Sequence, residues 1–179
     1  MERINHNIEP LYDRNSRLLI LGSFPSVKSR EMQFFYGHPQ NRFWRVIAAL
    51  TDYPVPHTIE DKKKMLHENH IALWDTIASC EIEGSSDSSI KGVVPNNLNI
   101  ILETAPIQAV YCNGSKSYEL YHKYCEKQTG MPAVKLPSTS PANAACSLDR
   151  LIKEWSVIMD RFGYKIMSVH NCSAYADKN

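Results

Sequence analysis

Short, unbroken apolar runs recur along this 179-residue chain, and each is followed by residues that favour loops. Runs of this kind are typical of strands that are buried on both faces of a parallel sheet. The clearest run ends at Gly22, and a second is stopped by Asn113 and Gly114. We therefore expect four strands, at residues 18–21, 71–74, 109–112 and 133–136.

Between these runs, apolar residues recur with helical spacing. The last helical stretch is the clearest, because its large apolar side chains fall on one stripe and Ser147 is placed to cap it. Strands that alternate with helices imply βαβ units. The expected fold class is α/β, with three α/β/α layers around a central, mainly parallel four-stranded sheet. The predicted helices span residues 42–50, 59–67, 97–103, 117–127 and 148–162.

The composition fits one compact domain with a proper core, since 43% of the residues are hydrophobic and 22% are charged. We find no repeat or linker and expect a single domain over residues 1–163, followed by a tail at 164–179 whose structure the sequence does not decide. The chain has neither an apolar run of membrane length nor an apolar leader, which favours a cytoplasmic protein. We also expect a monomer.

A net charge of +1 gives no general attraction to nucleic acid, so any contact with DNA must come from a local patch. The first 45 residues carry seven Lys and Arg against four Asp and Glu. The five cysteines are scattered singly, without the two-residue spacing of zinc or iron–sulfur ligands. We expect reduced thiols in the core, and neither a metal nor a cofactor.

Two loops at the carboxyl ends of predicted strands carry groups suited to a site. The first loop (residues 22–40) begins Gly-Ser-Phe-Pro-Ser and holds exposed-looking aromatic and polar residues over nearly twenty positions before a helix begins. It leads into His-Pro-Gln-Asn-Arg-Phe-Trp at residues 38–44. The Ser-Pro loop (residues 137–143) is stiffened by two prolines and presents three hydroxyls and an amide, which are neutral donors for phosphate oxygens.

Together these segments resemble the uracil-DNA glycosylase superfamily, whose members pair a Gly-x-x-Pro loop after the first strand with a Ser-Pro loop after the last. Residues 38–44 are similar to the corresponding stretch of the mismatch-specific uracil glycosylases. The combination with Leu-Pro-Ser-Thr-Ser-Pro-Ala-Asn at residues 136–143 most closely resembles the hypoxanthine-DNA glycosylase branch. The similarity runs from about Arg17 to about Gly163, and three ordered matches of this length are specific.

The resemblance implies a monofunctional enzyme that flips a deaminated base, hypoxanthine foremost, out of double-stranded DNA and hydrolyses its bond to deoxyribose. Most branches place an amide or an acid where this chain has Phe24, so the resemblance assigns the water-orienting role to Asn41, through its carbonyl oxygen. It also implies that Tyr36 stacks on the flipped base. The implied base pocket comprises Ser23, Phe24, Tyr36 and His38, and the implied DNA contacts are Pro25, Ser26, Lys116, Ser138, Ser140, Pro141 and Asn143.

These residues also have structural interpretations. Asn41 precedes a helix and is suited to capping it, and Tyr36 is suited to the core. His38 fits a structural hydrogen bond as well as it fits a role at the base or sugar. The turn at residues 113–116 fits a plain helix start as well as a phosphate site that uses Lys116.

Two acids and three other functions complete the alternatives. Asp75 and Asp87 could form paired carboxylates for acid–base work, but we expect Asp75 to be structural, and the role of Asp87 stays open. The same chemistry could act on uracil or xanthine, because the sequence indicates the broken bond better than the base. A non-catalytic binder of damaged or single-stranded DNA would use Tyr36 and Phe24 as stacking platforms. A serine hydrolase is disfavoured because the loop serines lack a Gly-x-Ser-x-Gly turn.

Overall fold

The computed structural model describes residues 2–160, and its centre is a four-stranded sheet in which all strands are parallel. The strands are β1 (Arg3–Asn5), β2 (Leu18–Gly22), β3 (Ile71–Asp75), β4 (Ile77–Glu81), β5 (Lys91–Pro95), β6 (Ala109–Asn113) and β7 (Ala133–Leu136). The central sheet has the order β3-β2-β6-β7, so all four predicted strands are confirmed. Every residue of β2 and β3 is buried, as expected for strands covered on both faces.

Helices flank this sheet and complete the α/β fold that the sequence predicts. They are α1 (Val27–Met32), α2 (Phe43–Leu50), α3 (Ile59–Glu68), α4 (Asn99–Leu102), α5 (Ser115–Tyr124), α6 (Glu126–Thr129), α7 (Leu148–Trp155) and α8 (Val157–Asp160). Helix α3 packs on β3, α5 packs on β6 and β7, and α2 packs against α7. Ser147 caps α7 as predicted, since its hydroxyl accepts from the amide of Arg150 at 3.2 Å.

Two predicted helices are interrupted. The stretch predicted at residues 117–127 begins earlier, at Ser115, and divides into α5 and α6 at Cys125. The stretch predicted at residues 148–162 divides into α7 and α8 at Ser156, whose hydroxyl donates to the carbonyl of Lys153 at 2.7 Å and so competes with the regular helical pattern. Its last two residues and the tail at 164–179 lie outside the described residues.

A second, antiparallel sheet with the order β1-β4-β5 lies outside the four predicted strands. Residues 77–81 follow β3 after a single residue, and the pairing of β4 with β5 is irregular. Exposed residues and Pro95 in β5 hide that strand from a hydrophobic pattern. This sheet and the loop beyond β2 share a small core of Phe24, Ile77, Cys80, Ile82, Ile90 and Leu120.

The first loop also differs from its prediction. It contains α1, which begins after Ser26, because the Ser26 hydroxyl accepts from the amide of Ser29 at 3.2 Å. Phe34 and Phe35, which looked exposed in the sequence, are buried in the main core. The four cysteines of the described part are free and buried, in agreement with the expected reduced thiols. No helix within residues 2–160 is long and apolar enough to span a membrane.

Candidate active site

A cavity of about 410 Å³ lies where the carboxyl ends of β2, β3 and β6 meet the Ser-Pro loop. This is the edge at which parallel α/β sheets bind ligands. The cavity brings together Asn41, the four predicted base-pocket residues and five of the seven predicted DNA contacts. Lys116 and Asn143 do not line it. Its lining includes Ser23, Phe24, Pro25, Ser26, Tyr36, His38, Asn41, Asp75, Asp87, Asn113, Ser138, Thr139, Ser140 and Pro141.

The side chain of Asn41 is held by two hydrogen bonds to its oxygen. Oδ1 accepts from the amide of Phe43, at the first residue of α2, and from the hydroxyl of Thr139, both at 2.9 Å. Thr139 is fully buried, and its hydroxyl in turn accepts from Nδ2 of Asn113 at 2.9 Å. Oδ1 of Asn113 accepts from the amide of Thr139 at 3.0 Å, which closes the pair.

This network orients the amide of Asn41. A backbone N–H can only donate, so the atom facing the Phe43 amide must be the oxygen. Both lone pairs of that oxygen are used, whereas Nδ2 has no partner within residues 2–160. That Asn41 holds a water through its carbonyl oxygen stays a prediction; in this arrangement the oxygen already accepts two hydrogen bonds, and Nδ2 is the atom left to contact a ligand. The N-cap residue of α2 is Arg42 rather than Asn41, and its side chain makes no capping bond; the Asn41 oxygen nevertheless satisfies the amide of Phe43 at the start of the helix.

Arg42 holds the Ser-Pro loop through hydrogen bonds to its backbone carbonyls. Its guanidinium donates to the carbonyls of Ser140 at 2.8 Å and Asn143 at 3.0 Å, and also to those of Thr139 and Cys146. Its backbone amide donates to Thr139 as well. The planar fork of an arginine suits several carbonyls at once. These hydrogen bonds hold the loop that resembles a DNA-contacting segment in place beside Asn41.

Within the Ser-Pro loop, the predicted contact residues have local partners. The Ser138 hydroxyl accepts from the amide of Ser140, and the Ser140 hydroxyl accepts from that of Ala142, both at 3.2 Å, so each hydroxyl hydrogen stays available to a ligand. Nδ2 of Asn143 donates to the carbonyl of Ser138 at 2.9 Å. Gly114, at φ +96°, leaves the room that Ser138 occupies, because a Cβ there would lie 3.1 Å from the Ser138 Cβ.

Tyr36 lies between the core and the cavity. Its ring stacks on Phe43 with centroids 4.1 Å apart, and its backbone adopts the left-handed conformation, with φ at 50°. Its buried hydroxyl has no hydrogen-bond partner within the described chain. Burial raises the pKa of this phenol above its ordinary 10.0, and the charge of Asp75 adds to the rise. Tyr36 therefore presents a neutral hydroxyl, and its core and pocket interpretations both agree with its position.

Asp75, for which the sequence suggests a structural role, lines the cavity and is paired with a histidine. The residue is 4% exposed, and its Oδ2 lies 2.8 Å from Nε2 of His6. A Cβ added to Gly22 would lie 2.2 Å from Oδ1 of Asp75 and 3.4 Å from the Tyr36 hydroxyl. Only glycine leaves the room for both polar groups beside the end of β2.

Asp87 lines the same cavity from the 3₁₀ turn Asp87–Ser89. Its Oδ1 accepts from the Ser23 hydroxyl at 2.8 Å. Asp87 is exposed as a residue, but the protein around its carboxyl desolvates that group and raises its pKa above the ordinary 3.8, while the Ser23 hydrogen bond and the charge of Lys116 oppose the rise. The charge of Asp75 also raises the pKa of Asp87.

The remaining predicted residues have mixed surroundings. Phe24 is buried, and its ring packs edge to face with His6 at 5.9 Å between centroids. His38 lines the cavity, while its Nδ1 accepts from the amide of Gln40 at 3.1 Å, so both of its interpretations remain compatible with its position. Lys116 is half-buried on the first turn of α5. Within residues 2–160, no cluster of three His, Cys, Asp or Glu residues is arranged to hold a metal ion.

Sequence reasoning did not assign a site role to four residues of this region: Arg42, Asp75, Asn113 and Thr139. Asp75 and Asn113 end β3 and β6, so their position at the carboxyl edge of the sheet was an available signal. Thr139 and Arg42 act through hydrogen bonds to residues about a hundred positions away along the chain. No local pattern reports such contacts.

Comparisons with known proteins agree with this geometry. Residues 9–158 match the family model of the uracil DNA glycosylase superfamily. The chain is 34% identical over 157 residues to the hypoxanthine DNA glycosylase of Methanosarcina acetivorans, covering 87% of this chain and 98% of the relative. It is 35% identical over 112 residues to the hypoxanthine DNA glycosylase of Methanosarcina barkeri, covering 62% and 71%.

A solved structure provides a comparison of the fold. The solution NMR structure of a candidate uracil DNA glycosylase from Methanosarcina acetivorans superimposes with a TM-score of 0.75 and 33% sequence identity. The match covers 88% of this chain and 97% of that protein. The chain is therefore a member of the uracil DNA glycosylase superfamily.

Proposed function

We propose that this protein is a DNA repair glycosylase that flips hypoxanthine, the deaminated form of adenine, out of double-stranded DNA and hydrolyses its N-glycosidic bond. The two relatives described above are both named hypoxanthine DNA glycosylases, and the first is matched over nearly its whole length. A base inside a duplex cannot be reached by an active site, so the enzyme must extrude it into a pocket. The product is an intact strand with an abasic site.

The observation that carries the proposal is the hydrogen bond between Thr139 and Asn41. It joins the segment after the first loop to the Ser-Pro loop across the cavity, so the segments that carry the family resemblance form one site. The cavity volume of about 410 Å³ suits a small ligand such as a flipped base. A non-catalytic binder would not require this buried support for a polar amide.

The polar groups of the cavity match the chemistry of hypoxanthine. Oδ1 of Asp75 is an acceptor at the end of β3 and suits the N1–H of the base, the only ring N–H left when N9 is bonded to the sugar. The Tyr36 hydroxyl is a neutral donor beside it and suits a carbonyl oxygen. The Tyr36 ring supplies an aromatic wall, which agrees with its proposed stacking role.

Asn41 supports the hydrolytic step with Nδ2, which has no partner within residues 2–160. A donor amide fixes the oxygen of the attacking water, whose lone pair then faces C1′ of the flipped nucleotide. Cleavage leaves positive charge on the sugar and negative charge on the base, so the site must stabilise both. Within the described part of the chain no lysine lines the cavity, which supports attack by water rather than by an amine.

The DNA strand is proposed to lie across the neutral donors beside the cavity. Ser26, Ser138 and Ser140 line it together with Pro25 and Pro141. Hydroxyls and backbone amides position phosphates without charge, which agrees with the net charge of +1. Asn143 contributes by bracing Ser138, and Lys116 is proposed to meet a phosphate outside the cavity.

A panel of single-lesion duplexes tests the proposal. Matched DNA duplexes carry hypoxanthine, uracil, xanthine or adenine at one position, and released bases are identified by mass spectrometry. We expect free hypoxanthine and an alkali-labile abasic site, with no release of adenine. Release of uracil or xanthine in preference to hypoxanthine would show that the proposed substrate is wrong. Binding without the release of any base would refute the glycosylase function.

A further inference from the structure

Two carboxyl groups line the cavity, and hypoxanthine cannot make favourable contacts with both of them if both are ionised. Asp75 and Asp87 line it together. A hypoxanthine joined to deoxyribose offers one ring N–H, at N1, and acceptor atoms at O6, N3 and N7. One carboxylate can accept the N1–H, but a second would face an acceptor atom and repel it. A second carboxyl in contact with the base therefore has to carry a proton.

Asp75 is the carboxyl that remains an acceptor. Nδ1 of His6 accepts from the amide of Ile8 at 3.2 Å, so the ring hydrogen is on Nε2. Nε2 then donates to Oδ2 of Asp75 at 2.8 Å, and the two side chains are 2% and 6% exposed. This buried hydrogen bond uses Oδ2 as an acceptor and leaves the other carboxyl oxygen turned to Gly22 and the cavity.

Asp87 is the carboxyl that can carry the proton. Only its Oδ1 has a hydrogen-bond partner in the described chain, the Ser23 hydroxyl at 2.8 Å, so the other oxygen can bear a hydrogen. Desolvation of the carboxyl by the surrounding protein and the charge of Asp75 both favour its neutral form, although the residue as a whole is exposed. Lys116 on α5 acts at longer range, since within residues 2–160 it makes no ion pair with Asp87.

We propose that Asp87 is a general acid that protonates a ring nitrogen of the departing purine, N7 or N3, while the Ser23 hydroxyl positions and tunes its carboxyl. The inference rests on the proposed function. The O–H bond of Asp87 breaks and an N–H bond forms on the purine, while the C1′–N9 bond breaks and leaves its electron pair on the base. Hypoxanthine therefore departs neutral. Water bonds to C1′, and its released proton returns to the Asp87 carboxylate through solvent.

This role separates purine from pyrimidine substrates. Uracil has no counterpart of N7, and the carbonyl oxygen O2 takes the position that N3 has in a purine, so uracil offers no ring nitrogen for this proton. Protonation of the leaving base is a direct way to lower the barrier of N-glycosidic cleavage, and positioned acids contribute about 10²–10⁴-fold. The acid would also explain why a carboxyl is placed against a base that offers mostly acceptors.

The charged and titratable groups around Asp87 define the expected pH response. They are Asp75 at the end of β3, with His6 behind it, Lys116 on α5, Cys80 on β4, Arg30 of α1, which bonds the carbonyl of Gly84 in the same loop, and His38 across the cavity. The acid form of Asp87 is the active form. Excision should therefore be fastest below the pKa of Asp87 and fall as the pH rises through it.

The test is a pH series of single-turnover hypoxanthine release at saturating enzyme, for the wild type, Asp87→Asn and Ser23→Ala. The amide of Asp87→Asn keeps an oxygen for the Ser23 hydroxyl but cannot transfer a proton, so we expect a loss of about 10²–10⁴-fold at low pH and no falling limb. Ser23→Ala removes the hydrogen bond that lowers the pKa of Asp87, so the fall of its excision rate should occur at higher pH than in the wild type. Melting temperatures for all three proteins check that the fold is intact.

The outcomes distinguish this inference from the proposed function. If the wild type releases no hypoxanthine at any pH, the proposed function fails. If the wild type releases hypoxanthine and Asp87→Asn keeps its rate and pH profile, only the general acid is refuted. A limb that stays in place or moves to lower pH in Ser23→Ala would also overturn it, because a structural pair would change stability without that upward shift.

Discussion

The hydroxyl of Thr139 donates to Oδ1 of Asn41 at 2.9 Å and links two segments that are 98 residues apart in the chain. Thr139→Val keeps the shape of the side chain but removes this donor and the acceptor of the Asn113 amide. We expect single-turnover excision to fall by up to about a hundredfold, because a small misplacement of a positioning group has effects of that size. Single-turnover kinetics measures this loss of rate, and thermal melting measures the change in stability.

Thr139→Ser is the matched control, because it retains the hydroxyl. It should keep most of the activity of the wild type. If the valine and serine variants excise hypoxanthine at the same rate, the hydroxyl is not what positions Asn41.

Arg42 is expected to hold the Ser-Pro loop through geometry rather than charge. Its guanidinium reaches the carbonyls of Ser140 and Asn143, and a lysine ammonium cannot reproduce that fork. Arg42→Lys should lower the free energy of unfolding by about 1–3 kcal/mol, because buried acceptors lose their donors. Chemical denaturation measures the loss.

Arg45→Lys provides the comparison on the same helix, since Arg45 is exposed. We expect that variant to match the wild type in both stability and excision. An Arg42→Lys protein as stable as Arg45→Lys would show that the carbonyl contacts contribute little.

Tyr36 is expected to act through its ring more than through its hydroxyl in binding the lesion. Tyr36→Ala removes a stacking surface worth about 1–3 kcal/mol, so the affinity for a hypoxanthine duplex should fall by roughly tenfold or more. Tyr36→Phe keeps the ring and deletes a buried hydroxyl without a partner in the described chain, so its stability should equal or exceed that of the wild type. Equilibrium binding and melting of the two variants separate these contributions, and unchanged affinity in Tyr36→Ala would remove the stacking role.

Asn41→Asp tests which atom of the amide is used. The aspartate can still accept from Phe43 and Thr139 but lacks the N–H donor that Asn41 directs away from them. We expect its single-turnover rate to fall nearly as far as that of an alanine variant. Substantial retained activity would instead indicate that an acceptor at this position is sufficient to hold the water.

The parts of the fold that the sequence predicts are those determined by local burial. The strands β2 and β6 can be recognised in the sequence as continuous apolar runs, because both faces of the central sheet are covered. The second sheet escapes prediction because β1 is three residues long and β5 is largely exposed, so their pairing with β4 depends on contacts between distant segments. The antiparallel sheet is thus a product of tertiary pairing.

The candidate site divides in the same way. The resemblance of the loop motifs selects residues such as Asn41 and Ser138 that line the cavity. It does not reveal that the Asn41 oxygen is already occupied, because its partner Thr139 is brought there by the fold. The pairing of Ser23 with Asp87 has no local signal either, since 64 residues separate them in the chain.

The most direct test of the account is the single-turnover release of hypoxanthine from a duplex by the wild type and by Asn41→Ala, with duplex affinity measured in parallel. The account predicts rapid release by the wild type, and a loss of about 10²–10⁴-fold in Asn41→Ala with binding nearly unchanged. The lost cap at Phe43 should cost only about 1 kcal/mol of stability. An Asn41→Ala protein that releases hypoxanthine at the wild-type rate while melting slightly earlier would contradict the account, because Asn41 would then be a helix cap alone.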